Sequence, residues 1–125
     1  DELLRYLSPV QFAPRRVALE DVEVGGTQVR KGDGLFAVSP SVNRDPDQFP
    51  DPDRFDITRA ASHHMSFGFG IHRCLGQGLA VIELQVVFRK LFERFPDLRI
   101  AEPIQKLPFK YDSQIYGLYK LPVRW

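Results

Sequence analysis

A single cysteine, Cys74, is the residue best placed by its neighbours to do chemistry in this 125-residue chain. It stands in Phe67-Gly68-Phe69-Gly70-Ile71-His72-Arg73-Cys74-Leu75-Gly76, which runs straight into Gln77-Gly78-Leu79-Ala80. Glycines at 68, 70 and 76 open backbone conformations closed to other residues and let the chain approach a flat ligand closely. A cysteine where a loop becomes a helix meets unpaired amide N–H groups and the positive end of the helix dipole, which favour the thiolate. A thiolate so held, screened by an aromatic such as Phe67, is a strong ligand for a metal, a haem iron included. Two other readings stand beside it. A lone cysteine is commonly a small buried hydrophobe. A zinc site from His63, His64, His72 and Cys74 is the second, but these residues lack the paired CxxC or HxxxH spacing of zinc folds.

The elements that must position this stretch follow from pattern. Glu2 to Leu7 reads as the last turns of a helix, stopped near Ser8-Pro9 because proline disfavours helix in the residue before it. Arg15 to Leu19 is a short strand candidate. Val22-Glu23-Val24 and Thr27-Gln28-Val29-Arg30 flank Gly25-Gly26 as a hairpin. Leu35 to Val38 follows the turn Lys31-Gly32-Asp33-Gly34 as a short apolar strand. Residues 43–56 hold three prolines and five aspartates and read as meandering backbone, ordered by Phe49 and Phe55. Apolar residues Leu79, Ile82, Val86, Phe88, Leu91 and Phe92 recur near helical spacing, so Leu75 to Phe95 is the one long helix, ended at Pro96. Short strands are expected from Leu98 to Trp125. The fold class is α+β, in one segment over 1–125 with no second domain.

Composition narrows the function. Hydrophobic content of 43% and charged content of 26% are ordinary for a soluble globular chain. A net charge of +1, from 17 basic and 16 acidic residues in no long block, gives no support for a nucleic-acid or membrane partner. No apolar run reaches the eighteen or so residues that span a bilayer, and the first residues lack a signal-peptide pattern. One cysteine excludes an internal disulfide and fits a reducing, cytoplasmic setting. The opening, without Met, reads as the middle of an element.

Phe67-Gly68-x-Gly70-x-His72-x-Cys74-x-Gly76-x-x-Leu79-Ala80 resembles the haem-ligand signature of the cytochromes P-450 at every defining position, and Glu83 extends it toward the form common in soluble bacterial members. The resemblance implies the C-terminal part of that fold: the end of helix K, small antiparallel strands, the meander, the Cys-ligand loop, the long helix L and C-terminal strands. It implies haem b (iron protoporphyrin IX), with Cys74 as axial ligand and Phe67, Gly68, Gly70 and Gly76 against the cofactor. Arg16, in Pro14-Arg15-Arg16-Val17, is similar to the strand arginine that pairs with a propionate. His72 occupies a position that donates to the other, and Arg15 is expected to face solvent. Glu2-x-x-Arg5 resembles the Glu-x-x-Arg motif, and Arg54 the meander arginine that completes its structural triad. His64 resembles a histidine before the signature, with no chemistry assigned. Phe12, Ala13, Gln114 and Ile115 are implied substrate contacts, and Arg73 a contact for an electron donor of ferredoxin or flavodoxin type.

The implied activity is that of a haem-thiolate monooxygenase, in which the thiolate pushes electron density onto iron and one oxygen atom of O2 enters a small organic substrate. Family members are much longer. The Ala/Gly-Gly-x-x-Thr motif of their oxygen-handling helix is not found in these residues, where the only threonines are Thr27 and Thr58. The missing N-terminal portion of the fold is therefore an expected partner, and unpaired strand edges and exposed apolar surface are expected in this piece. The other reading is a haem-binding module or inactive remnant, without catalysis of its own.

Overall fold

The computed structural model describes residues 1–12 and 15–125, and divides into two compact units, 1–66 and 67–125.

In the first unit, helix α1 (Glu2–Leu7) ends at Ser8, whose φ of 39° is left-handed and whose N–H donates to Leu4 O at 3.0 Å. A side chain in that conformation is costly unless its surroundings hold it. Ser8 is buried, and its hydroxyl donates to Arg5 O at 2.8 Å. Strands β1 (Arg15–Val17) and β4 (Gly34–Phe36) pair antiparallel with Arg16 opposite Leu35. Strands β2 (Val22–Val24) and β3 (Thr27–Val29) form the expected hairpin, with Val24 opposite Thr27. Its turn residues Gly25 and Gly26 both have positive φ, as the tight turn that matches strand twist requires. The expected strand to Val38 stops at Phe36 instead. Pro40 lies in the first turn of a four-residue helix, α2 (Ser39–Val42), because its fixed φ suits a helix start.

The core of this unit is small and polar. Among the described residues, Phe49, Ala61 and Ala18 are its buried apolar ones, beside buried Glu2, Arg5, Ser8, Ser39, Asn43 and His64. Phe49 lies between two cationic or aromatic groups: the Arg5 guanidinium is 5.2 Å from its ring centroid, and the His63 ring stacks on it at 4.5 Å. Phe55 meets the Tyr6 ring edge-on at 5.3 Å but stays 43% exposed, so only one of the two meander phenylalanines is a core residue.

In the second unit, α3 (Gln77–Arg94) is the long helix, and its 18 residues bury none of their number. Strands β5 (Arg99–Ile100) and β6 (Val123–Arg124) pair antiparallel, and a single bridge joins Phe109 to Leu118. Rings of Phe109, Tyr111 and Tyr116 cluster at 5.6–6.1 Å, and Phe95 meets Trp125 at 5.4 Å. Leu79, Ile82, Val86, Phe88 and Phe92 are all exposed on α3, the uncovered apolar surface that the sequence led us to expect. No helix among the described residues is long and apolar enough to cross a membrane.

Candidate functional site

The loop that carries Cys74 is shaped by its own backbone. Gly68 and Gly70 have φ of +73° and +65°, conformations that L side chains rarely adopt. Between them and the helix, a one-turn 3-10 segment spans Gly70–His72, and the Arg73 N–H donates to Gly70 O at 3.0 Å. The Cys74 N–H donates to Phe67 O at 2.8 Å and closes the loop, while the Gln77 N–H donates to Cys74 O at 3.2 Å and starts α3. Cys74 thus stands three residues before the start of a helix whose first-turn amides have no intrahelical acceptors, and its side chain is exposed. The buried-hydrophobe reading of this cysteine does not hold.

Gly76 differs from its two companions. Its φ of −81° suits any residue, so conformational freedom does not explain it. A Cβ there would sit 3.8 Å from Cys74 Sγ, an ordinary contact, but on the side of the sulfur. The apolar residues of the loop and of the turn after it are uncovered: Phe69, Ile71 and Leu75 are 76%, 97% and fully exposed. Exposed apolar side chains concentrated at one place mark a surface that another group covers. Among the described residues no three His, Cys, Asp or Glu side chains converge on a metal ion. A single exposed sulfur in a segment of exposed apolar residues suits an iron that already carries its other ligands, as in haem.

His72 closes the 3-10 turn and is exposed. Arg73 reaches forward to the first residue of α3, its Nε donating to Gln77 Oε1. Arg16 is exposed on β1, and Arg15 beside it, also exposed, lies 5.9 Å from the Phe36 ring centroid. Phe12 and Ile115 are more than half exposed, and Gln114 is exposed too. Ala13 lies outside the described residues. His64 is buried, accepts the Ser66 N–H at Nδ1 (3.2 Å) and has Asp1 3.9 Å from Nε2.

Glu2 and Arg5 come together as a buried ion pair. Arg5 Nε and Nη2 donate to the two carboxylate oxygens of Glu2 at 2.7 and 2.8 Å. Nη1 donates to Asn43 O (2.7 Å) and Pro52 O (2.9 Å), and Nη2 also to Arg54 O (3.4 Å). A guanidinium has five N–H donors, and here all are used. The Arg5 hydrogen bonds, the Asp56 N–H (3.0 Å) and Arg59 hold the Glu2 carboxyl down at about 2 against burial. The same pair raises Arg5.

The third arginine is not the one expected. Arg54 enters the network through its backbone carbonyl, and its side chain is exposed. The second guanidinium at Glu2 is that of Arg59, with Nε 3.3 Å from Oε1. Arg59 also donates to the carbonyls of Pro50, Asp51 and Arg54 and so draws the meander together. The Pro-Asp-Arg-Phe wording around Arg54 pointed to the wrong residue. Arg59 stands five positions later, after the turn in which Asp56 accepts from the Thr58 N–H and hydroxyl. That turn reverses the chain and brings Arg59, not Arg54, to the carboxylate. An Asp-x-Thr turn before an arginine was the available signal.

The comparisons with known proteins agree with the signature. The sequence profile described as "Cytochrome P450" matches residues 1–115, and the chain belongs to that family. Cytochrome P450-SU2 of Streptomyces griseolus is 46% identical over 125 residues, all of this chain and 31% of that protein. Pentalenic acid synthase of Streptomyces avermitilis is 47% identical, over all of this chain and 31% of its own length. The crystal structure of cytochrome P450 MoxA from Nonomuraea recticatena superposes with a TM-score of 0.96 at 51% identity, covering 99% of this chain and 31% of that one. The fold is therefore that of a cytochrome P450, and these relatives are bacterial. The chain spans about a third of the length of the relatives it matches.

Proposed function

We propose that this chain supplies the haem-iron ligand and the proximal side of a haem-thiolate monooxygenase. Cys74 Sγ is the axial ligand of haem b. The observation that carries this reading is an exposed cysteine at the end of a glycine-shaped loop, against a helix start, within the full Phe67 to Ala80 signature. Haem, when bound, supplies the iron at which O2 is reduced so that one oxygen atom enters an organic substrate.

The residues here do the holding. Gly68 and Gly70 let the backbone take the path that ends at the sulfur, and Gly76 leaves the space beside it free. Phe67 shields the sulfur, while His72 and Arg16 are proposed partners of the haem carboxylates. Glu2, Arg5 and Arg59 hold the meander. In the family's terms, α1 is the end of helix K and α3 is helix L.

The proposed substrate is a small organic molecule, met by Phe12, Ala13, Gln114 and Ile115. The proposed electron donor is of ferredoxin or flavodoxin type, met by Arg73, and the setting is the cytoplasm. We assign oxygen activation to no residue of these 125.

The test is the spectrum of the dithionite-reduced, carbon monoxide-bound protein, with Cys74→Ala as control. A strongly red-shifted Soret band that the variant loses is expected. A band at the shorter wavelength of histidine- or thiol-ligated haem in the unaltered protein would overturn the reading.

A further inference from the structure

Asn43 has no exposed surface, and its side-chain amide makes three hydrogen bonds to two segments of the first unit. Nδ2 donates to Ser8 Oγ at 2.8 Å and to Ser66 Oγ at 3.0 Å, and Oδ1 accepts the Met65 N–H at 2.7 Å. Its backbone carbonyl accepts from Arg5 Nη1. Ser8 lies at the left-handed cap of α1. Met65 and Ser66 lead directly into Phe67, whose carbonyl accepts the Cys74 N–H. One residue therefore ties the helix cap, through its side chain, and the Glu2–Arg5 network, through its backbone carbonyl, to the two residues from which the ligand loop departs.

We infer that Asn43 is a positioning residue for Cys74, fixing the start of the ligand loop; the inference rests on the haem-ligand reading and deepens it. The orientation of the amide follows from its partners. The Met65 N–H needs an acceptor, so Oδ1 faces it and Nδ2 faces the hydroxyls. Each hydroxyl has already donated its proton elsewhere, Ser8 to Arg5 O and Ser66 to Leu4 O at 2.7 Å. Both therefore present lone pairs, and only a donor satisfies them. A carboxylate at 43 would face oxygen lone pairs on two sides, and an aliphatic residue would leave buried donors and acceptors without partners. An asparagine meets all three demands with one planar group.

The arms of this side chain separate the positioning role from general stability. Ser8→Ala cuts the arm to the helix cap and leaves the arms to Met65 and Ser66. Asn43→Ala cuts all three, and Ser66→Ala cuts the arm at the loop entrance. These variants are made in the protein with all the polypeptide its gene encodes, and compared at denaturant concentrations that equalise global stability. Two readouts apply: amide exchange at Cys74 relative to Lys110, whose N–H donates to Gly117 O, and the carbon monoxide-bound Soret spectrum.

Asn43→Ala is expected to speed Cys74 exchange by about tenfold, in line with the loss of buried hydrogen bonds, and to move part of the Soret band to the thiol-ligated position. Ser66→Ala moves both in the same direction, and decides the matter if Asn43→Ala does not fold. Ser8→Ala leaves both as in the unaltered protein. Equal Cys74 exchange in all three variants at matched stability overturns the inference. If the unaltered protein shows no thiolate band, the haem-ligand reading falls, while the exchange comparison still decides the role of Asn43 in shaping the loop.

Discussion

In residues 1–66 the most deeply buried large side chains are Arg5 and Asn43, whereas in residues 67–125 the 18-residue helix α3 buries none and Leu75, beside the proposed ligand, is fully exposed. The difference follows from what each group demands. A buried guanidinium is tolerable only when its charge is paired and its donors are used, and Arg5 meets both conditions within its own unit. An exposed leucine demands nothing of its own chain, but it leaves apolar surface that is favourable to cover. The first unit thus satisfies every donor of its most buried charge, though Arg44 Nε is buried without a hydrogen-bond partner, and the second is organised around a surface left open. A ligand loop has to be open where it binds, so its rigidity must come from backbone geometry and from the segment that feeds it.

The sharpest way to break this contrast is to compare one variant from each unit. Arg5→Ala leaves the Glu2 carboxylate buried and should cost about 3–5 kcal/mol of stability, measured by urea denaturation of the first unit's signal. Cys74→Ala, at an exposed position, should change the same quantity by less than about 0.5 kcal/mol. Similar losses in the two variants would mean that the units do not differ as their burial implies.

A smaller effect sharpens the account of the network itself. Arg59→Ala removes a guanidinium that bonds Glu2 and three carbonyls, and should destabilise by about 1–3 kcal/mol. Arg54→Ala should stay within about 0.5 kcal/mol, because the carbonyl it contributes survives the substitution. The reverse order would return the third position to Arg54.

The smallest effect at ordinary pH is that of acid. Glu2 falls from its usual 4.5 to about 2 in the folded chain, chiefly through the Arg5 hydrogen bonds. A carboxyl with a depressed folded pKa stabilises fully above its unfolded value and loses that contribution as pH falls through the folded one. The stability due to Glu2 should therefore be constant above pH 4.5 and decline toward pH 2. In Glu2→Gln that part of the acid limb should be absent. An unchanged limb in the variant would show that other carboxyls govern acid unfolding.

Much of this was legible in the order of residues. Ser8-Pro9 marks the end of α1 and Gly25-Gly26 the hairpin turn, because the physics there is local: a fixed proline φ, a positive glycine φ. The helical spacing after Cys74 gave α3 to within a few residues at each end. The signature from Phe67 to Ala80 pointed to the family, because its residue types serve one small loop. The helix start at Pro40 was not anticipated, because the apolar run from Leu35 to Val38 reads as strand.

Other features are decided only by the folded chain. Which of two arginines reaches Glu2 depends on a turn at Asp56–Thr58 that reverses the chain between them. Which of three loop glycines needs its freedom depends on φ, and Gly76 does not. Asn43 carried no signal at all, since a hydrogen bond from residue 43 to residue 66 joins positions whose neighbours in sequence say nothing of each other. Local conformation is written in adjacent residues; a buried polar network is fixed by which distant groups find their donors and acceptors satisfied together, and that is settled only when the chain closes.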